Sequence, residues 1–163
     1  METYTQNLFI VEDNPTIASN LMNFLKTRFN QTLNITTFMD GESVLRNIDN
    51  QTAIVILDYD LRGERADRLL LDIKRINPNT EVIVYSSDEE IGTAIEAYRN
   101  GARKFVRKGR HGLRRIFSVI HKILYYPVEV TRRFFGLDQL FAIFVVEVLY
   151  IGIVVYIGLR LFT

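Results

Sequence analysis

Two patterns of apolar residues alternate along the first 125 positions of the chain. Five short runs rich in apolar residues fit strands, at residues 8–11, 35–38, 54–57, 82–85 and 104–107. The segments that follow carry apolar residues at every third or fourth position, a spacing that predicts one buried face of a helix. Five strands, each followed by a helix, predict a parallel sheet with helices on both faces, because parallel strands need crossover connections.

Local signals place some of the helix ends. Asn14 followed by Pro15 is a favoured helix start. Apolar spacing puts Ile48 on the inward side of the second helix and Ile76 in the apolar stripe of the third. Residues 77–79, Asn-Pro-Asn, are a loop signal that should end the third helix.

Polar residues capable of chemistry follow four of the five strands. They are Glu12 and Asp13, Asp58, Ser86 and Lys108. The carboxyl ends of parallel strands share one edge, where open α/β sheets bind ligands. Converging carboxylates repel one another, and Mg²⁺, which takes oxygen ligands and is often shared with phosphate, relieves that repulsion. An ammonium and a hydroxyl beside it would suit a phosphoryl oxygen.

Four motifs carry a family resemblance: IVEDNP, VILDYDLRG, VIVYSS and NGARKFVRK. In this order and spacing, from residue 7 to about 125, they resemble the receiver domain of bacterial response regulators. The resemblance implies the CheY-like, flavodoxin-like doubly wound fold with five parallel strands. It also implies a phosphoacceptor switch rather than an ordinary enzyme. Asp58 would accept a phosphoryl group from the phosphohistidine of a histidine kinase or phosphotransfer protein.

The resemblance further implies a metal site around Asp58. Glu12 and Asp13 match the acidic pair that binds Mg²⁺, and the backbone carbonyl of Asp60 matches a further ligand. The alternative for Glu12 and Asp13 is a structural one, in which their charge favours the start of the next helix.

Switch residues are implied on the last two strands. Ser86 matches the hydroxyl that hydrogen-bonds the phosphoryl group, Lys108 the lysine that pairs with it, and Phe105 the aromatic that turns inward when Ser86 moves. Each has a simpler alternative: Ser86 a helix cap, Phe105 a core residue, and Lys108 one more basic side chain in a basic segment.

The sequence departs from the family pattern near the acceptor. Family members usually have proline at the positions of Arg62 and Gly109. A cis Lys108–Gly109 bond would cost about 3 kcal/mol, so we expect the lysine loop to be set differently. Asp60 and Asp88 add negative charge around the phosphoryl position, which predicts tight Mg²⁺ dependence and an altered acyl-phosphate lifetime.

Charge is segregated along the chain although the total is only +1. Residues 1–102 carry −7, residues 103–133 carry +9, and residues 134–163 carry −1. The basic segment indicates a partner with an anionic surface, for which membrane lipid is the favoured candidate. Nucleic acid is the rival, but no further helix-turn-helix with its own core follows, and Pro127 interrupts the region. With no cysteine, the chain has no disulfide and no thiolate metal site. The N-terminus lacks the pattern of a secretory signal.

The C-terminal segment predicts a membrane anchor. Residues 140–159 contain one charge, Glu147, and a helix of that length would span one bilayer core of about 30 Å. The prediction divides the chain into a receiver domain at 1–125, a basic, amphipathic juxtamembrane connector at 126–139 and a transmembrane helix at 140–162.

The flanking charges predict how that helix is oriented. Arg132 and Arg133 precede the helix, while only Arg160 follows it, and the side richer in Lys and Arg stays cytoplasmic. The helix should therefore cross the inner membrane once, with the receiver in the cytoplasm. Glu147 is expected to face a membrane protein partner or a second copy of the chain. The alternative is a soluble oligomerisation helix or a buried strand pair, since the segment is also rich in strand-forming residues.

Together these features predict a membrane-tethered response regulator that is phosphorylated at Asp58 and signals by protein contact. A receiver-fold interaction subunit of a membrane complex, independent of phosphorylation, is the alternative. A soluble regulator that dimerises through its tail is a third interpretation.

Overall fold

In the part of the chain that the structure describes, ten elements alternate between strand and helix. The structure is a computed structural model that describes residues 6–61, 66–88 and 91–135. Its elements are β1 (Gln6–Val11), α1 (Pro15–Phe29), β2 (Leu33–Phe38), α2 (Gly41–Leu45), β3 (Thr52–Asp58), α3 (Ala66–Ile76), β4 (Glu81–Ser86), α4 (Ile91–Arg99), β5 (Lys104–Arg107) and α5 (Gly112–Phe135).

The five strands form one parallel sheet in the order β2-β1-β3-β4-β5. Val11 at the end of β1 pairs with Leu57, and Asp58 at the end of β3 pairs with Tyr85. The predicted five-stranded α/β sheet is therefore confirmed, and the carboxyl ends of β1, β3 and β4 meet at one edge.

Helices cover both faces of the sheet. On one face the inward residues of β1, β3 and β4 pack with residues of α2, α3 and α4 in a single cluster that includes Val11, Leu57, Ile73, Val84 and Ala97. Side chains alternate along a strand, so the other residues of the same strands point to the opposite face, which α1 and α5 cover. The buried residues on this face come from the strands and from the two helices, and include Leu8, Ile10, Ile56, Leu21, Leu25, Ile116 and Ile120.

Several predicted helical positions differ from the structure. The apolar stripe of α4 is exposed rather than buried, with Ile91 78% exposed, and Ala97 is the buried residue of that helix. The helix α2 ends at Leu45. Ile48 is buried as predicted, but it belongs to the loop after α2 and not to the helix. Ile76 is 50% exposed at the last position of α3. Asn77, four residues after the buried Ile73, takes the inward position instead, where its side chain donates to the carbonyl of Asp49 at 2.8 Å.

The chain divides into two compact units, residues Met1–His121 and Lys122–Thr163. Pro127 stands within α5 and does not end that helix, although the sequence indicated an interruption there. In the ranges that the structure describes, no helix combines the length and the apolar character needed to cross a membrane. The predicted transmembrane segment 140–162, with Glu147, lies outside the described residues, as do residues 136–139 of the predicted connector and Arg62.

Candidate functional site

The ends of β1 and β3 bring two carboxylates together beneath the surface. Asp58 is the last residue of β3, and Glu12 directly follows β1. The backbone N–H of Glu12 donates to the carbonyl of Phe38 at 3.0 Å, which continues the pairing of β1 with β2 for one more residue. Glu12 is 2% exposed and Asp58 is 3% exposed. Backbone pairing therefore fixes two acids side by side, largely out of contact with water.

Three carboxylates and one ammonium form the centre of this edge, the acidic cluster. One oxygen each from Glu12, Asp13 and Asp58 can be chosen so that all three lie within 4.8 Å of one another. The Nζ of Lys108 lies 2.8 Å from Oε2 of Glu12 and 2.8 Å from Oδ2 of Asp58. One cation thus bridges two of the three acids.

Burial and charge act in opposite directions on the two bridged groups. Burial raises the pKa of Glu12; the hydrogen bond from Lys108 opposes that rise, and the charge of Asp58 adds to it. For Lys108, burial by itself would lower the pKa, but its contacts with Asp58 and Glu12 outweigh burial and raise it. The ammonium therefore stays charged at neutral pH, while the ionised form of Glu12 is disfavoured.

The loop after β3 holds the other oxygen of Asp58. The backbone N–H of Asp60 donates to Oδ1 of Asp58 at 3.1 Å, while Lys108 contacts Oδ2. The hydroxyl of Tyr59 donates to Oδ2 of Asp67, in the first turn of α3, at 2.9 Å. Sequence reasoning missed this tyrosine contact, which ties the loop to the next helix. Both oxygens of Asp58 thus have fixed partners.

Residues 8–120 match the response regulator receiver domain family. The chain belongs to this family. Its receiver is of the CheY-like kind, with a flavodoxin-like five-stranded parallel sheet. Members of the family are phosphoacceptor switches of two-component signalling, which bind Mg²⁺ at an acidic pocket and interact with histidine kinases or phosphotransfer proteins.

Two curated relatives are similar to the receiver. The nitrogen assimilation regulatory protein NtrX of Azorhizobium caulinodans is 32% identical over 105 residues, which cover 63% of this chain and 22% of NtrX. The Fimbriae Z protein of Salmonella typhimurium is 36% identical over 100 residues, covering 53% of this chain and 47% of that protein. The chain thus spans less than half the length of either relative.

A solved structure shares the fold. A response regulator from Burkholderia pseudomallei, determined with a phosphorylated aspartic acid, a calcium ion and citrate, has a TM-score of 0.63 and 17% identity. The match covers 76% of this chain and 72% of that one.

Ser86 lies at the end of β4 in the receiver and is fully buried. Its hydroxyl accepts from the backbone N–H of Asp88 at 3.0 Å and lies 3.5 Å from Oδ2 of Asp60. The carbonyl of Ser86 accepts from the backbone N–H of Lys108 at 2.6 Å. The Asp88 carboxylate in turn accepts from the hydroxyl of Thr93 in α4. Ser86 thus lies beside two acids and connects the lysine loop with the start of α4.

Phe105 and Gly109 flank Lys108 in the last strand and its loop. Phe105 is partly buried against the core cluster, and its backbone N–H donates to the hydroxyl of Tyr98 at 3.3 Å. Gly109 has a φ of +145°, which only glycine adopts readily, and every peptide bond in the described part of the chain is trans. The lysine loop is therefore held without the proline that family members usually have.

Proposed function

We propose that this chain is a response regulator whose receiver takes a phosphoryl group onto Asp58 from a histidine kinase or phosphotransfer protein. The observation that supports this is the acidic cluster itself, with Lys108 at 2.8 Å from both Glu12 and Asp58. A receiver that works only as a structural subunit has no use for buried, mutually repelling carboxylates, which reduce its stability.

The donor set fits Mg²⁺. Carboxylate and carbonyl oxygens are the ligands this ion prefers, and three carboxylates within 4.8 Å of one another leave a charge that a divalent cation would balance. Glu12, Asp13 and Asp58 would hold it, with the backbone carbonyl of Asp60. When bound, the ion supplies charge neutralisation for the carboxylates and for the phosphoryl oxygens.

The receiver's own residues position the reacting groups. An oxygen of Asp58 forms a bond to phosphorus as the N–P bond of phosphohistidine breaks, and the electron pair of that bond returns to the imidazole nitrogen. Lys108 leaves Glu12 to pair with a phosphoryl oxygen, and the hydroxyl of Ser86 turns from Asp60 to donate to another. Phe105 is proposed to turn inward as Ser86 moves.

Phosphorylation by a small phosphodonor such as acetyl phosphate tests the proposal. Intact mass should show one added phosphoryl group on the wild type with Mg²⁺, and none with EDTA or in Asp58→Asn. Asp72→Asn, a change at a half-buried residue of α3 outside the cluster, where Asp72 pairs with Arg75, is the matched control and should react like the wild type. Equal labelling with and without EDTA, or no labelling of the wild type by phosphodonor or kinase, would favour the phosphorylation-independent subunit.

We also propose that residues 140–162 anchor the receiver on the cytoplasmic side of the inner membrane. Support comes from the sequence, in which Glu147 is the single charge of residues 140–159 and the basic side chains Arg132 and Arg133 precede the segment. The intact chain should resist carbonate extraction of membranes, whereas a version cut after Phe135 should be released. If the intact chain is also released, the segment is an oligomerisation element instead.

A further inference from the structure

The edge strand β5 and the two helices beside it present a strongly basic surface. From Ile91 to His121 the chain carries eight Lys or Arg and one acidic residue, Glu96. Lys108 contacts the acidic cluster, and Arg103 lies 3.9 Å from Glu81. The other six are exposed and define the basic face: Arg99, Lys104, Arg107, Arg110, Arg114 and Arg115.

Apolar side chains are also exposed on α4, the helix that carries Arg99 of the basic face. Ile91 is 78% exposed, Ile95 47% and Tyr98 44%. Their spacing of four and three residues puts all three on one side of α4, together with Arg99. The hydroxyl of Tyr98 accepts from the backbone N–H of Phe105, which holds the ring beside β5. α4 thus exposes a short aliphatic and aromatic stripe next to Arg99, one of the six residues of the basic face.

Charge decides what kind of partner this face can take. If two copies paired their basic faces about a two-fold axis, the six cations of one copy would meet the six of the other. Between Ile91 and His121, each copy would contribute a single acidic residue, Glu96. A second copy docked face to face is therefore disfavoured, and an anionic partner is favoured.

The apolar stripe distinguishes between anionic partners. Phosphate contacts to nucleic acid need clustered Lys and Arg but give no role to Ile91 or Ile95. A bilayer with acidic headgroups takes both: basic side chains lie at the charged surface, and aliphatic and aromatic side chains enter the boundary below it. We propose that the basic face docks the receiver onto an anionic lipid surface. This deepens and rests on the proposed anchoring, which would keep a bilayer close to the receiver.

The absence of cysteine from the chain makes a direct test possible. Full-length Ile95→Cys, labelled with an environment-sensitive fluorophore, is reconstituted into neutral phosphatidylcholine vesicles and into vesicles with phosphatidylglycerol added. We expect a blue shift in anionic vesicles that is absent in neutral ones and reversed by high salt. The same label at Asn20→Cys, exposed on α1, should not shift in either.

Charge reversal supplies the second measurement. Lys104→Glu with Arg114→Glu and Arg115→Glu should lower the docked fraction at least tenfold, since each basic side chain near an anionic surface is worth roughly a factor of five. Glutamate suits the first turn of α5, so the fold should not weaken. A control variant reverses the same number of charges away from the basic face and should dock like the wild type. Its changes are Lys26→Glu on α1, Arg46→Glu at the end of α2, and Arg75→Glu on α3.

Three results would overturn the proposal. They are an Ile95 shift of equal size in neutral vesicles, an unchanged shift in the charge-reversed variant, and a shift with short duplex DNA but not with anionic vesicles. Carbonate extraction of the same vesicles reports anchoring independently. Retention without an Ile95 shift rejects docking alone, whereas release from both vesicle types rejects the anchor.

Discussion

At the scale of single residues, the receiver keeps a buried acid that its surroundings do not fully stabilise. Lys108 bridges Glu12 and Asp58, yet the pKa of Glu12 is raised by burial beyond what that contact offsets, with the charge of Asp58 acting in the same direction. A raised pKa in the folded state means that ionising Glu12 opposes folding. The ionised form of Glu12 therefore lowers the stability of the folded receiver.

This gives a pH prediction for Glu12→Gln. Because the folded-state pKa lies above 4.5, the folded protein holds a proton that the unfolded chain releases, so stability falls as pH rises from 4.5 through the folded pKa. Each unit of that pKa difference is worth about 1.4 kcal/mol. In EDTA, the unfolding free energy of Glu12→Gln should therefore increase relative to that of the wild type as the pH is raised from acid to neutral.

Urea unfolding at a series of pH values measures the difference. Glu42→Gln, an exposed change on α2, is the matched control, and added Mg²⁺ should reduce the advantage of Glu12→Gln at neutral pH. Parallel curves for wild type and Glu12→Gln would show that Glu12 carries no such cost.

Sequence reasoning located these residues because of where they stand in the chain. A polar residue after an apolar strand of a parallel sheet must come to one edge, so Glu12, Asp13 and Asp58 could be predicted to meet. The hydrogen bond between Tyr59 and Asp67 could not be predicted, since it joins a loop to a helix and neither the residue types nor their spacing indicates it. The double contact of Lys108 likewise depends on side-chain placement that the pattern does not contain.

At the scale of elements, strand bounds depend on backbone pairing as well as on apolar runs. The structure extends β1 to Gln6 and β2 to Leu33, beyond the predicted runs, because Gln6 pairs with Leu33 and Asn7 with Asn34. The amide of Asn34 donates to the side chain of Asn7 at 3.2 Å, so two polar residues also support the pairing. Periodicity alone cannot find such residues.

The start of α5 depends on a residue without a side chain. A Cβ at Gly112 would lie 2.9 Å from the carbonyl oxygen of Arg107 and 2.9 Å from the hydroxyl of Tyr85. Gly112→Ala should therefore lower the unfolding free energy by about 1–3 kcal/mol, even though alanine favours a helix. Tyr85→Phe in the same chain should restore only part of this, because the backbone oxygen remains.

The glycine in α4 provides the opposite case. A Cβ at Gly92 would meet nothing within 4 Å, so Gly92→Ala should raise the unfolding free energy by about 0.5–1 kcal/mol. Chemical denaturation of both variants tests the pair together. A stabilised Gly112→Ala would mean that α5 can shift away from Tyr85 at little cost.

At the scale of the whole molecule, charge and hydropathy divide the chain into three parts. The acidic part contains the acidic cluster, the basic segment follows it, and the apolar residues 140–159 come last. Sequence alone gave this order, because net charge and apolar length need no coordinates. What it could not give is the exposure of Ile91, Ile95 and Tyr98, which depends on how α4 packs on the receiver.

Glu147 is the residue on which the role of the apolar segment can be decided. An acid near the bilayer centre costs about 3 kcal/mol to insert, so a functional reason is expected, namely a contact with a partner helix or a second copy. Glu147→Leu should keep or strengthen resistance to carbonate extraction while weakening detergent-resistant association, measured by cross-linking in mild detergent. Val146→Leu, at the neighbouring position, should leave both unchanged. If association survives Glu147→Leu intact, Glu147 is not part of the contact, and the apolar segment then serves as an anchor alone.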